Sequence, residues 1–303
     1  MYKINQHQKA FKEEIEKTKI PLGKRPDWLK VKLPTGNNYS EVLKLMRGQK
    51  LHTVCEEARC PNLAECWNAR TATFMILGDT CTRSCGFCNI KLGLPTELDL
   101  DEPRRVAESV EQLNLRHVVI TSVNRDELKD GGASIFTETV RLINEKIPDC
   151  TVEILIPDFK GEEHAFEIIM KNPPNILNHN LETVARLYHA VRPQAKYERS
   201  LELIRWFKEK GLRTKSGIMV GIGEKKEEVL ELMNDLIEYG CDILTIGQYL
   251  QPTKNHLPVD RFVTPEEFKL YKDEGLKIGF KAVESSPLVR SSYHADKHAR
   301  EII

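Results

Sequence analysis

Six of the eight cysteines lie close together in the chain, in two groups of three between residues 55 and 88. The later group, Cys81, Cys85 and Cys88, follows a predicted strand with the unequal spacing Cys-x3-Cys-x2-Cys. Structural zinc sites usually complete four ligands from paired Cys-x2-Cys or Cys/His sets. Three thiolates leave one corner of a cubane iron–sulfur cluster open, and that iron can bind a small molecule. The spacing indicates an open cluster, with a zinc site or incidental cysteines as the alternative.

The earlier group, Cys55, Cys60 and Cys66, again supplies three thiols in one short segment. It predicts a second metal cluster with three cysteine ligands, and a helical segment with buried cysteines is the alternative. Cys150 and Cys241 border predicted strands. We interpret these two as small buried apolar residues without a chemical role.

Composition narrows the class of protein that could use these thiols. The 303 residues include 45 Lys and Arg and 45 Asp and Glu, so no global field recruits nucleic acid or an anionic membrane. The first 19 residues are charged throughout and lack the apolar core of a signal peptide. No apolar run approaches the ~20 residues that span a bilayer. We therefore expect a cytoplasmic protein with reduced thiols and no nucleic-acid or membrane partner.

Strands and helices must position the cysteines, and their patterns alternate along the chain. β-rich runs are predicted at 72–77, 117–121, 151–156, 175–178, 215–220 and 242–246. Amphipathic helices are predicted at 39–47, 102–113, 135–146, 165–171, 198–210 and 226–238. Six strand–helix units are too few for a full eight-unit barrel. The prediction is an α/β fold, a partial (β/α)6 TIM-type barrel at 71–282, with an N-terminal extension at 1–70 and a C-terminal tail at 283–303.

Polar or glycine-rich residues follow five of the six predicted strands, at 78–81, 121–126, 178–180, 221–224 and 247–251. In parallel α/β folds the active site lies at the carboxyl ends of the strands. These residues favour an enzyme over a scaffold, although loops are often polar for other reasons.

The later cysteine group resembles the signature of the radical S-adenosylmethionine superfamily. The resemblance implies that Cys81, Cys85 and Cys88 hold a 4Fe-4S cluster whose open iron binds the amino and carboxylate groups of S-adenosylmethionine. An electron from that cluster would cleave the sulfonium and give a 5′-deoxyadenosyl radical. Phe87, just before the last cysteine, matches the aromatic that packs near the adenine in this superfamily.

The earlier group, Cys-x4-Cys-x5-Cys, resembles the auxiliary-cluster motif of the lipoyl synthase family. Further stretches are similar to that family across most of the chain: 62–67, 71–78, 85–90, 178–183, 191–193 and 290–294. The tail sequence Arg290-Ser291-Ser292-Tyr293 matches the family's C-terminal motif, in which a serine ligates the fourth iron of the auxiliary cluster. By position we assign that role to Ser292. The alternative, from residue type alone, is a turn or a helix cap.

The resemblance implies a sulfur-inserting activity. Two sulfur atoms would replace hydrogens at C6 and C8 of an octanoyl chain held on a lysine of a lipoyl carrier domain, with two S-adenosylmethionine consumed and the auxiliary 4Fe-4S cluster as sulfur donor. The implied partners are octanoylated carriers, namely the E2 subunits of 2-oxoacid dehydrogenases and the glycine cleavage H protein. An electron donor such as flavodoxin or ferredoxin is also implied.

Other residues are expected to contact S-adenosylmethionine. Gly221, Gly223 and Glu224 resemble the superfamily's glycine-rich segment beside this cofactor, and an ordinary tight turn is the alternative. Asn180, Arg192 and Gln248 are further candidates for the methionine or ribose groups, and ordinary capping would also explain them.

Two competing functions remain open from the sequence. One is a different sulfur-inserting radical enzyme, similar to biotin synthase, which acts on a free small molecule. The earlier cysteine group and the serine-bearing tail speak against it. The other is a non-catalytic, zinc-stabilised binding module.

Overall fold

The computed structural model describes residues 5–18, 24–30, 37–49, 51–57, 60, 62–68, 73–292 and 295. Its α-helices are α1 Gln6–Thr18, α2 Asn37–Gly48, α3 Val54–Glu57, α4 Leu63–Asn68, α5 Glu102–Gln112, α6 Ala133–Lys146, α7 Glu163–Ile169, α8 Tyr188–Val191, α9 Tyr197–Glu209, α10 Lys226–Glu238 and α11 Pro265–Ile278. Its strands are β1 His52–Thr53, β2 Thr73–Ile76, β3 Thr80–Cys81, β4 Lys91–Leu92, β5 His117–Ser122, β6 Thr151–Leu155, β7 Ile176–Asn178, β8 Arg213–Val220, β9 Ile243–Gln248 and β10 Ala282–Ser285.

The chain divides into two compact units, each built from separate stretches of sequence. The first unit comprises Met1–Lys30, Ser84–Asn89 and His179–Ser291, and the second comprises Val31–Arg83, Ile90–Asn178 and Ser292–Ile303. In both units strands alternate with helices, which is the α/β pattern that the sequence predicts.

The first unit contains β8, β9 and β10, which pair in parallel in that order. Most residues of β8 and all residues of β9 are buried, as expected for parallel strands covered by helices. Helix starts are specified locally. Thr264 caps α11 by accepting from the Glu267 backbone N–H, and Pro265 occupies the first turn. Asn5 and Gln8 form a reciprocal capping box at the start of α1, each side chain accepting from the other's backbone N–H at 2.9 Å.

The second unit contains strands in the order β1-β2-β5-β6-β7. β1 runs antiparallel to β2, and the other neighbours are parallel. All four residues of β2 are buried, in line with a strand covered on both faces. Just after β2, the Leu77 N–H donates to the buried carboxylate of Glu102 at 2.6 Å, which ties the start of α5 to the end of the strand.

All six predicted strands are present, as β2, β5, β6, β7, β8 and β9. The six predicted helices are present too, and α10 has the predicted limits. The prediction omitted α1, α11, the short helices α3, α4 and α8, and the short strands β1, β3, β4 and β10; β10 crosses the predicted boundary at residue 283. Across the described ranges, no helix combines the length and the apolar character needed to traverse a bilayer.

Candidate functional site

The earlier cysteine group lies entirely in the second unit. Cys55 is in α3, whose first turn is closed by Thr53, since its hydroxyl accepts from the Glu56 N–H. The Cys60 N–H donates to the Cys55 carbonyl at 3.0 Å, and the Cys66 N–H donates to the carbonyl of Asn62 at 2.9 Å. Each of the three cysteines therefore takes part in a backbone hydrogen bond within this segment.

The Cys55 thiol is buried among groups that favour its anion. Burial raises its pKa to about 11, and the nearby Cys60 adds to this rise. The Thr73 backbone N–H and hydroxyl and the nearby Trp67 indole oppose this rise in the pKa. Trp67 Nε1 is itself buried, with no hydrogen-bond acceptor in the described part of the chain. This thiol is therefore surrounded by donors that suit a negatively charged sulfur ligand.

Two described residues of the tail, Ser292 and Ala295, belong to the second unit. Ser292 Oγ accepts a hydrogen bond from Thr73 Oγ1 at 2.8 Å, across a separation of 219 residues in the sequence. Thr73 also contacts Cys55. The predicted oxygen ligand and a predicted sulfur ligand thus share one neighbouring side chain. Tyr293 of the tail motif lies outside the described residues.

The predicted metal ligands at this site, three thiols and one serine hydroxyl, fit an iron–sulfur cluster better than a hard cation. Thiolates are the soft ligands that such clusters use, and a serine oxygen is a harder donor. All eight cysteines are free thiols, so none is consumed in a disulfide. Within the described ranges, no three Cys, His, Asp or Glu side chains form a group that could hold a metal ion. The ligand sets accordingly rest on spacing and donor chemistry, and they stay predictions.

Cys81 also lies in the second unit, at the end of β3. Its Sγ accepts the backbone N–H of Asn124 at 3.3 Å and that of Arg83 at 3.5 Å. Arg83 is buried and ion-paired with Asp126 and Asp158, each at 2.7 Å. Amide hydrogen bonds to a sulfur stabilise its negative charge and tune a bound cluster. The ion pairs hold one of these two amides in place.

Cys85 and Cys88 lie in the first unit, in a segment held by distant residues. The carbonyl of Cys88 lies 3.0 Å from His256 Nε2, and because a carbonyl only accepts, the imidazole donates. Gln8 Nε2 donates to the carbonyl of Ser84 at 2.8 Å. Sequence reasoning missed both Gln8 and His256, since each is far from the motif along the chain. Phe87 is half-buried in the same segment.

Asn180 and Arg192 lie together in the first unit, after β7. Arg192 Nη1 donates to the Asn180 carbonyl at 2.7 Å and to the Tyr188 hydroxyl at 2.8 Å. Asn180 Nδ2 donates to Glu182 at 3.0 Å, while Asn180 Oδ1 is buried without a hydrogen-bond donor among the residues described. Burial raises the pKa of Glu182, against the opposing effect of Arg192. A buried amide oxygen of this kind is suited to accept from a ligand.

Gly221, Gly223 and Glu224 form a turn after β8. The two glycines have φ of 88° and 121°, and a Cβ on Gly221 would lie 2.1 Å from Gln248 Nε2. Glu224 accepts the Gly221 N–H at 2.6 Å and the Ile222 N–H at 2.9 Å. Burial raises the pKa of Glu224, and these two hydrogen bonds oppose the rise. The carboxylate is therefore occupied in holding the glycine turn.

Gln248 is fully buried, and its amide is used by the backbone. Nε2 donates to the carbonyls of Val220, Tyr249 and Arg261, at 3.0 to 3.1 Å, and Oε1 accepts from the Val263 N–H at 2.8 Å. A primary amide has two N–H donors, so none remains for a ligand. Gln248 thus fastens the end of β9 to the strand and loop beside the glycine turn.

Comparison with protein-family models gives two matches. Residues 75–236 match the radical SAM superfamily, and residues 2–60 match the N-terminal domain of lipoyl synthase of the radical SAM family. The first match covers more than half of the chain and includes Cys81, Cys85 and Cys88. The second includes Cys55 and Cys60.

Curated relatives are similar over nearly the whole chain. The chain is 61% identical over 279 residues to "Lipoyl synthase" of Rubrobacter xylanophilus, covering 91% of this chain and 87% of the relative. It is 57% identical over 289 residues to "Lipoyl synthase" of Symbiobacterium thermophilum, covering 95% and 90% of the two chains.

Solved structures of low sequence identity share the fold. SuiB of Streptococcus suis bound to S-adenosylmethionine superposes with a TM-score of 0.56 at 13% identity, covering 84% of this chain and 58% of that one. Spore photoproduct lyase superposes with a TM-score of 0.51 at 12% identity, covering 92% and 94%. The predicted α/β fold class, a TIM-type partial barrel, is confirmed by this likeness and by the parallel strand pairing.

Proposed function

The chain belongs to the lipoyl synthase family of the radical S-adenosylmethionine superfamily, and from that membership we propose how its own residues divide the work. The enzyme is a sulfurtransferase that inserts sulfur at C6 and C8 of an octanoyl chain carried on a lipoyl domain. S-adenosylmethionine and a 4Fe-4S cluster are its superfamily cofactors. The individual ligands, the second cluster and the partners are what we propose.

The chemistry sets the task of the protein. The hydrogens at C6 and C8 of an alkyl chain are not acidic, so no side chain of accessible pKa removes them as protons. When bound, the cofactor and its cluster supply a carbon radical that abstracts hydrogen, and the auxiliary cluster supplies sulfur. The chain itself must hold these groups, orient the substrate and exclude water.

We assign Cys81, Cys85 and Cys88 as ligands of the first cluster, on the strength of their spacing. The contacts around them support this assignment. Two backbone N–H groups point at Cys81 Sγ, and His256 fixes the carbonyl of Cys88. These contacts hold the ends of the motif, and the sulfur of Cys81 serves in them as an acceptor.

We assign Cys55, Cys60, Cys66 and Ser292 as ligands of the auxiliary 4Fe-4S cluster. The observation that carries this proposal is the 2.8 Å hydrogen bond between Thr73 and Ser292, because it brings the tail serine to the strand that contacts Cys55. A serine oxygen is a harder and less typical iron ligand than a thiolate. Ser292 therefore marks the corner from which iron is lost most easily.

The cofactor-binding residues fall into two roles. Asn180, Arg192 and Phe87 are proposed to contact S-adenosylmethionine, and the open Asn180 Oδ1 supports this for the first of them. Gly221 and Gly223 leave room for the close approach of the cofactor. Their turn is held by Glu224, and Gln248 fixes the neighbouring strand and loop.

The finer biological context is also a proposal. We assign the octanoylated E2 subunits of 2-oxoacid dehydrogenases and the glycine cleavage H protein as carriers, with flavodoxin or ferredoxin as electron donor and the cytoplasm as location. The segments 1–70, 71–282 and 283–303 are proposed as the auxiliary-cluster extension, the radical barrel and the serine-bearing tail.

One experiment tests the activity on this chain. Anaerobically reconstituted protein is mixed with an octanoyl-lysine peptide, S-adenosylmethionine and a reductant, and the peptide is followed by mass spectrometry. The expected products are first a singly and then a doubly thiolated peptide. If the cofactor is cleaved and the peptide gains no sulfur, the sulfur-inserting assignment is wrong.

A further inference from the structure

We propose that Thr73 is a positioning residue of the auxiliary site, which holds the oxygen of Ser292 beside Cys55 through its single hydroxyl. The inference rests on the proposed ligand role of Ser292. It adds a residue that is neither a ligand nor part of either cysteine motif.

The strand register places Thr73 for this role. β1 and β2 pair antiparallel, with His52 opposite Met75 and Thr53 opposite Phe74. Continuing this register by one residue puts Thr73 opposite Val54, directly before Cys55. The first residue of β2 is thereby brought to the start of the helix that carries the first predicted ligand.

The Thr73 side chain faces two predicted ligands. Its Oγ1 donates to Ser292 Oγ at 2.8 Å, and its hydroxyl and backbone N–H both contact the sulfur of Cys55. A hydroxyl carries one proton, so Thr73 donates to only one acceptor at a time. With its proton on Ser292, the Thr73 hydroxyl holds the serine oxygen at the start of β2.

Burial makes this hydrogen bond a specific restraint. Thr73 is 5% exposed, whereas Ser292 is half-buried at the start of the tail. A β-branched residue in a strand has few side-chain rotamers, so the strand fixes the position of the Thr73 hydroxyl oxygen. Loss of that hydroxyl would leave the strand in place and release Ser292.

The test compares hydroxyl-free and hydroxyl-bearing variants of the reconstituted protein. Thr73→Val keeps the branched shape, Thr73→Ala is a second hydroxyl-free variant, and Thr73→Ser restores the hydroxyl. Iron release to a chelator is timed without S-adenosylmethionine. Thr73→Val and Thr73→Ala should release the labile iron about fivefold faster than wild type, the change expected when one neutral hydrogen bond is lost. Thr73→Ser should behave like wild type.

A double variant separates positioning from a general structural effect. If Thr73 acts through Ser292, then Thr73→Val adds nothing to the rate of iron release in a Ser292→Ala protein. An equal acceleration in both backgrounds, or no acceleration in the wild-type background, overturns the inference. Wild-type protein that retains only one cluster would instead overturn the proposed auxiliary site itself.

Discussion

The glycine turn of the first unit and the Cys55 region of the second unit are built in opposite ways. At the glycine turn, Glu224 and Gln248 use their polar atoms to bind backbone groups, so the turn is fixed by the chain alone. In the Cys55 region, Thr73 lies beside both the Cys55 thiol and the Ser292 hydroxyl. The Trp67 indole N–H lies beside the same thiol.

The difference separates residues that shape a site from residues that are available to a ligand. A polar side chain whose hydrogen bonds all go to the backbone cannot bind a cofactor without breaking them. A buried atom without a hydrogen-bond partner among the described residues, such as Asn180 Oδ1 or Trp67 Nε1, is the opposite case. The residue type at a strand end does not show whether a polar side chain shapes the site or is available to a ligand. Its hydrogen-bond partners show which of the two roles it has.

The largest expected effect comes from removing one ligand from either cysteine group. Cys81→Ala should abolish both the formation of 5′-deoxyadenosine and the insertion of sulfur, because no radical can be generated. Cys55→Ala should still cleave S-adenosylmethionine while inserting no sulfur. Both products are measured by chromatography and mass spectrometry.

Cys150→Ala is the matched control for these two variants, since Cys150 is a buried thiol whose pKa burial raises to about 11 and which belongs to neither group. It should retain both activities. The division of labour is refuted if Cys55→Ala and Cys81→Ala lose cofactor cleavage to the same extent.

A smaller effect is expected from closing the space at the glycine turn. In Gly221→Ala, the new Cβ would lie 2.1 Å from Gln248 Nε2 and 2.4 Å from the Arg261 carbonyl, at a φ of 88°. We expect a loss of about 3 kcal/mol in the free energy of unfolding from overpacking and backbone strain. Binding of S-adenosylmethionine, measured by calorimetry, should weaken as well.

Gly211→Ala isolates the backbone contribution to this loss. Gly211 has nearly the same φ, 87°, and a methyl group added there would meet no described atom within 4 Å. Its cost should be only about 1 kcal/mol, from the left-handed conformation alone, with cofactor binding unchanged. Equal losses for the two glycines would show that the turn is not tightly packed.

The smallest expected effect is a change in how stability depends on pH. Burial raises the pKa of Glu224, so the folded chain keeps a proton that the unfolded chain releases once the pH exceeds the ordinary pKa of a glutamate. The stabilisation from Glu224 is thus complete at low pH and declines as pH rises through the folded pKa. In urea titrations, wild-type protein should lose stability relative to Glu224→Gln as the pH rises from the ordinary pKa of a glutamate to the folded pKa of Glu224.

Glu228 supplies a control of opposite sign. Its hydrogen bond with Arg186 lowers its pKa, so its stabilisation is present above the unfolded value and is lost as pH falls through the folded pKa. In the same urea titrations, wild-type protein should gain stability relative to Glu228→Gln as the pH rises through the folded pKa of Glu228. Slopes of the same sign for both variants would contradict the hydrogen-bond pattern of the turn.

The sequence predicted the six barrel strands because each is a short apolar run between turn residues. It also contained signals for two of the helices that the prediction omitted. The Asn5 and Gln8 capping box marks the start of α1, and Thr264 followed by Pro265 marks the start of α11. These helices were therefore accessible to local reasoning.

Other features were not accessible, because they depend on contacts between distant residues. His256 and Cys88 are 168 residues apart, and Gln8 and Ser84 are 76 apart. The sequence pointed to Gln248 as a polar strand end, and only its four backbone partners reveal its role. The same holds for Thr73, an ordinary strand residue until its hydrogen bond to Ser292 is seen.

Counting iron and acid-labile sulfide in anaerobically reconstituted protein tests the central claim most directly. Two sites, one for each cysteine group, predict about eight iron and eight sulfide per wild-type chain, and about half of each in both Cys55→Ala and Cys81→Ala. Wild-type protein that binds about four of each while all six thiols are intact, or that binds zinc without sulfide, would contradict it.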